Sequence, residues 1–370
     1  MPLLPSLRLV GATILRDGEL RQRSVAIARG RISKGPLPAV DLDGYLILPG
    51  IIDLLLRPQP VRAETARRAV SAGITTAWLT PGWSWQAGHD APWRDQATLR
   101  DAIGPGLPDL HPAISIESHR TDSTAELIEL CRTLKVELAW FESSFARLQD
   151  LRQHDTPAYA HEALRLGMDH ADLSRMLDDA AGRRREVPRH LCRLAEAFDD
   201  MALRYGSVGD TGGAMRETHS MIGAGLAACP AAHSAAAAAR AMGDPVLLSA
   251  ADEDRLRDLL RGGLGDVIVS DGAPDRLVPL ALSLAGPDLA ELPRIWAMLS
   301  SRPAEIMRLA DRGRLDHGCR ADVTVVSRRS CRVEATICAG RLAYLSGEAR
   351  QRFADAGIVP GSEGPAIAAE

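Results

Sequence analysis

Residues 44–58 read GYLILPGIIDLLLRP, two apolar runs broken by Pro49 and Gly50. Proline and glycine punctuate a chain that leaves one sheet and enters another. The second run, Ile51, Ile52, Leu54, Leu55 and Leu56, is interrupted only by Asp53 and has no polar face. A strand of that kind is covered on both sides, as in a parallel sheet beneath helices.

On the C-terminal side of this stretch, strand and helix alternate. An amphipathic helix is predicted over 61–72, stopped by Gly73, then strands over 74–79 (ITTAWL), 111–117 (HPAISIE) and 136–141. Residues 142–205 form an excursion too long for a loop, with helical periodicity over 172–181 and 187–204. A strand end at 207–210, helices near 214–226 and over 234–242, a strand at 246–249, a helix at 252–261 and a strand at 266–270 (DVIVS) follow. Helices fill 277–309. That order and number predict an α/β fold, a (β/α)₈ TIM-like barrel over 49–312. Both ends of the chain instead show short strands with turn signals, over 1–48 and 313–347, which predicts one small β-sandwich domain built from both termini. Residues 348–370 are left as a loose tail.

The chain has 370 residues, 46% of them hydrophobic and 25% charged, enough to bury a barrel and a small accessory domain. A net charge of −4 and a pI near 6.2 leave no basic footprint, so neither nucleic acid nor a membrane surface is an expected partner. The start, MPLLPSLRLVG, lacks the basic region and apolar length of a signal peptide, which points to the cytoplasm. The six cysteines make no CxxC pair and read as reduced thiols. Lys34 and Lys135 are the only lysines.

Several segments resemble the amidohydrolase superfamily, in which a PG-hydrophobic-hydrophobic-acid segment leads into the first barrel strand. SAGITT at 71–76, GRLDHGCRADVTVV at 313–326 and SSRPAEIMRL at 300–309 are similar to other signatures of that superfamily. Within it, the chain most resembles the diphosphatases of the carbon-phosphorus lyase pathway, which act on α-D-ribose 1-methylphosphonate 5-triphosphate. The resemblance implies an amidohydrolase barrel with a binuclear metal site and a phosphorylated small-molecule ligand. Against the pattern PG-L-I-E-L-H-x-D, however, the two ligand positions fall on Leu55 and Arg57, and neither binds a divalent cation. The histidine of M-D-H-S falls on Ser143. The histidine and first aspartate of S-H-D-D-A-T fall on Val208 and Gly209, leaving Asp210.

In a (β/α)₈ barrel, chemistry sits where the strands end. By the resemblance, Asp271 after DVIVS stands at the superfamily's strand-eight aspartate, a metal ligand and proton acceptor; the alternative is a turn cap with Gly272. Glu117 falls on the acid of C-E-L-P-H, and His119 shares its strand face. Those two and Asp271 are the candidates for one zinc, manganese or iron ion; the other reading is a glutamate paired with Arg120 and a solvated histidine. Lys135 precedes the fourth strand, at the wrong end for a bridging lysine. His219 and His233 read as surface or core residues, and Asp252 as a helix cap where the family carries a glycine-rich phosphate loop.

The expectation is therefore a barrel without its binuclear site and, first of all, without a resident cofactor. Asp271 and Asp210 are the catalytic candidates, and Arg57 and His119 the substrate-binding ones. Arg57 is expected to replace the metals as the site's cation by pairing with Asp271 or Glu117. Either a degenerate, weakly active or inactive relative, or a hydrolase with altered single-metal ligation, satisfies this sequence, as a monomer or a homo-oligomer. A third reading, a metal-free enzyme, uses Asp271 or Asp210 as general base.

Overall fold

The computed structural model describes residues 3–58, 62–85, 108–359 and 367–368. Eight strands run parallel in sequence order: β1 Ile51–Leu56, β2 Ile74–Leu79, β3 Asp109–Glu117, β4 Leu138–Glu142, β5 Arg204–Val208, β6 Ala227–Ala228, β7 Val246–Ser249 and β8 Val267–Val269. Their backbones pair neighbour to neighbour from β1 to β8, and a short piece, Gly82–Trp83, lies beside β3. A buried cluster that includes Ile52, Leu54, Trp78, Leu138, Trp140, Leu247, Val267 and Val269 fills the interior. The opposite faces pack on helices through Ile51, Ile74, Ala77, Val246 and Ile268. Every residue of β1 is buried, as an apolar run without a polar face requires.

The ring nearly closes between β8 and β1, where side chains and single backbone bonds replace a ladder. The Asp271 amide donates to the Leu55 carbonyl at 3.2 Å. Asp53, fully buried, accepts from the amides of Leu55 (3.2 Å) and Ser270 (3.1 Å) and from Ser270 Oγ (2.5 Å). Below them the amides of Ile52 and Ile268 donate to the carbonyls of Leu299 and Met298 at 2.8 and 3.0 Å. The one acid in β1 thus satisfies backbone donors that the missing ladder leaves open.

The termini do pair. Tyr45–Pro49 runs antiparallel to Val323–Ser327 in a seven-stranded sheet, and Pro49 and Gly50 pass directly from that sheet into β1. A four-stranded sheet from residues 7–41 packs on it through Leu7, Leu9, Val25, Ile27, Ile47, Val323 and Val325.

Three expectations are corrected. The region left as a tail contains a helix, Gly347–Asp355, anchored by buried Ala349 and Phe353; two apolar positions were too few to display a period. The helix expected to run to 204 ends at Asp200, and β5 starts at Arg204. The helix expected over 214–226 is Gly213–Met221, followed by Gly223 at φ +91° and then β6, a two-residue strand too short for any alternation. The excursion after β4 holds four helices, Phe145–His154, Thr156–Arg165, His170–Gly182 and Val187–Asp200. The first three share a small core with Trp85.

Candidate active site

Arg57 follows β1 and reaches across the barrel mouth. Its Nε donates to Asp271 Oδ1 at 3.2 Å and its Nη1 to Glu142 Oε2 at 3.2 Å. The expected ion pair with Asp271 is present, but the second acid is Glu142 at the end of β4, not Glu117. Ser115 Oγ also donates to Glu142 Oε2. Asp271 Oδ2 takes Ser249 Oγ at 3.0 Å and the Cys229 thiol at 3.7 Å, so strand ends β1, β6, β7 and β8 converge on one carboxylate.

Burial opposes the charge on Arg57, but the fields of Glu142 and Asp271 outweigh it and hold the guanidinium's pKa above its ordinary value. Burial, reinforced by the Asp271 charge, pushes the Cys229 thiol well up, so it stays protonated. Cys229 and Asp271 both adopt left-handed backbone conformations, φ +49° and +46°. Beside them lies a cavity of about 330 Å³ lined by Cys229, Ser249, Asp252, Arg255 and Asp271 among others.

Glu117 ends β3 and belongs to a neighbouring group. Its Oε2 accepts the Ser144 amide (2.8 Å) and hydroxyl (2.7 Å), and its Oε1 lies 3.3 Å from His119 Nδ1. Trp85 Nε1 donates to the Ser144 hydroxyl at 2.9 Å, and Ser143 Oγ is 3.2 Å from the same His119 nitrogen. Glu117 takes these bonds from Ser144 and His119, whereas Arg120 donates to the Ser84 carbonyl and lies over Trp83.

Asp210, the other catalytic candidate, is turned into a different network. It is buried and bonds to Ser207 Oγ (2.5 Å), Arg216 Nη1 (3.3 Å) and His219 Nδ1 (2.8 Å), pinning the helix Gly213–Met221 to β5. Burial would raise its pKa, but His219, Ser207 and Arg216 lower it, so Asp210 is a committed anion. His219 is a core residue, as expected, with a partner nine positions earlier in the chain, while exposed His233 stands 3.9 Å from Asp258. Asp252 caps the helix Glu253–Arg261, accepting the Arg255 amide. Lys135 caps the helix before β4, at the far end from the mouth.

No family model and no curated protein matches this sequence. Solved structures do. They include N-acetylglucosamine-6-phosphate deacetylase from Pasteurella multocida (TM-score 0.60, 11% identity, 91% of this chain and 99% of that one). A triazine hydrolase variant gives a TM-score of 0.59 at 15% identity, covering 95% of this chain and 99% of that one. N-acyl-D-glutamate deacylase from Bordetella bronchiseptica, solved with zinc and a phosphonate inhibitor, gives 0.54 at 15% identity, covering 92% and 96%. The chain has an amidohydrolase-type barrel fold.

An amidohydrolase-type barrel that holds zinc, manganese or iron needs imidazoles, thiolates or carboxylates converging on the ion. Among the described residues no three His, Cys, Asp or Glu side chains do so. Glu117 and His119 bond to each other and Asp271 bonds to Arg57, so the three candidates for a single ion are not brought together. The residues present do not fit a metal centre with three side-chain ligands. Glu142, Ser115, Ser249 and Cys229 were not foreseen in the site. Glu142 and Ser249 each stand at or beside the end of a predicted strand, a signal that could have found them; Cys229 follows β6, which left no trace in the sequence.

Proposed function

We propose that this chain is a degenerate relative of the diphosphatases that cleave α-D-ribose 1-methylphosphonate 5-triphosphate in phosphonate catabolism. In it a guanidinium has replaced the metal pair, leaving a cytoplasmic protein that binds a phosphorylated small molecule and hydrolyses it weakly or not at all. The observation that carries the reading is Arg57 at 3.2 Å from both Asp271 and Glu142. One delocalised positive charge keeps two acids together at the mouth, but a guanidinium cannot coordinate water or lower its pKa toward 7 as a bound metal does. The barrel mouth and its cavity remain as a binding site.

Metal analysis of protein purified without chelators, with the ribosyl triphosphate added with and without manganese or zinc, tests this. Metal far below one equivalent and no diphosphate release are expected, together with calorimetric binding of the triphosphate that is lost in Arg57→Leu. Near-stoichiometric zinc, manganese or iron, or metal-dependent diphosphate release, would instead establish an active hydrolase with altered ligation.

A further inference from the structure

We infer that Glu117 and His119 form a metal-free carboxylate-imidazole dyad at the barrel mouth, with His119 Nε2 as the proton acceptor for hydrolysis of an uncharged acyl ester. Four groups fix the pair. The Ser144 amide and hydroxyl occupy Glu117 Oε2, leaving Oε1 for His119. Glu117 Oε1 and Ser143 Oγ both lie within 3.3 Å of Nδ1. A carboxylate oxygen so near a bare ring lone pair would be repulsive, so Nδ1 carries a proton, and in the neutral ring the free pair is then on Nε2. The ring stacks on Phe145, centroids 4.3 Å apart and planes 14° off parallel, which fixes its plane. Nε2 has no hydrogen-bond partner among the described residues, and the side chain keeps 14% of its surface exposed. An oriented imidazole with a carboxylate behind it and an open edge in front is the arrangement of a general base.

Neighbouring groups set the substrate class. Glu117 and Glu142 are register partners across β3 and β4, so Arg57 bonds to an acid on the strand next to the dyad's. Nη2 of Arg57 makes no hydrogen bond among the described residues and is available to a carbonyl oxygen. Glu142 and Asp271 already balance that guanidinium, so what it offers a carbonyl oxygen is a hydrogen bond, and a neutral carbonyl compound asks for no more. In the step, water bonds to the acyl carbon as its proton passes to Nε2, and the carbonyl electron pair moves to oxygen beside Arg57. Collapse breaks the bond to the leaving alkoxide, which takes the proton back from Nε2. Ester and water become acid and alcohol, and nothing is oxidised.

This inference rests on the replacement of the metal pair by Arg57, not on the phosphonate pathway. The test is hydrolysis of p-nitrophenyl acetate and butyrate by the chelator-treated full chain, with metal content measured on the same sample. Chelator-resistant turnover with a normal solvent deuterium isotope effect is expected. It should fall about 100-fold in His119→Asn, drop in kcat with KM kept in Glu117→Gln, and stay unchanged in His233→Asn. Should His119→Asn not fold, diethyl pyrocarbonate on the unaltered chain replaces it: acylation mapped to His119 must track the loss of turnover and reverse with hydroxylamine. Turnover no faster than free imidazole, an unchanged rate in His119→Asn, or acylation of His119 without loss of turnover would each overturn the dyad. With metal still absent, those outcomes leave the reading of Arg57 standing; near-stoichiometric metal removes that reading instead.

Discussion

Arg57 is the cation bonded to both carboxylates among the described residues, and its removal leaves each without its ion-pair partner. Breaking one partner of such a pair costs more than the pair itself contributes. Arg57→Leu is therefore expected to lose about 3 kcal/mol of stability in urea unfolding. Adding Asp271→Asn should restore part of that loss, and a double-mutant cycle measures how much. Arg57→Lys keeps the charge but presents a single ammonium where two diverging N–H groups now serve two acids, so it should fall between the parent and the leucine variant. A loss in Arg57→Leu indistinguishable from zero would show that the mouth does not depend on this cation.

At the scale of elements, the closure between β1 and β8 depends on Asp53. Burial holds the pKa of its carboxyl above the ordinary value, against the opposing pull of the donors on Ser270 and Leu55. Asp53→Asn turns one acceptor oxygen into an NH₂ facing an N–H or hydroxyl donor, with an expected cost of about 1–3 kcal/mol. Because Asp53 holds Ser270, and Asp271 follows it, the same variant should speed hydrogen exchange at the Leu55 and Asp271 amides; unaltered exchange at both would show that the seam closes without the carboxylate. The elements themselves were legible to different degrees. β2 and β7 start and stop where their apolar runs do, because each is buried along its whole length. Neither β6 nor the helix Gly347–Asp355 has enough apolar positions to show a period, and tertiary contacts decide both.

Across the whole molecule, two histidines predict a dome of stability against pH. His111 joins Asp109 and Glu137 at the start of β3 and β4 and stacks on Trp78, with centroids 4.6 Å apart. Burial opposes its charge, but both acids prevail and its pKa rises to about 9. That contribution is present in full below the unfolded value of 6.5 and is lost as pH rises through about 9. His190 behaves oppositely: burial takes it down to about 4, so stability is lost as pH falls from 6.5 through about 4. Glu162, held down to about 2 by Arg165 and Arg147, adds a further loss below its ordinary value of 4.5. Thermal melting across pH should thus peak near neutrality. His111→Asn should flatten the alkaline limb by about 1–3 kcal/mol, and His190→Asn the acid limb. A limb that survives its substitution assigns the pH dependence to other groups.

What the sequence determined by itself is the architecture: unbroken apolar runs alternating with amphipathic helices admit few folds other than a parallel barrel. It also located Leu55 and Arg57, whose side chains cannot hold a divalent ion wherever they point, and Ser143, which lacks the imidazole of the histidine it replaces. Which acids meet which partners was left to the tertiary structure. Arg57 could reach Glu117 or Glu142, and Asp210 could face the mouth or the core; strand stagger and the buried Arg216 and His219 decided both. Pairings across 85 and 214 positions depend on how a closed ring brings distant strand ends together, and local preference along the chain carries no record of that.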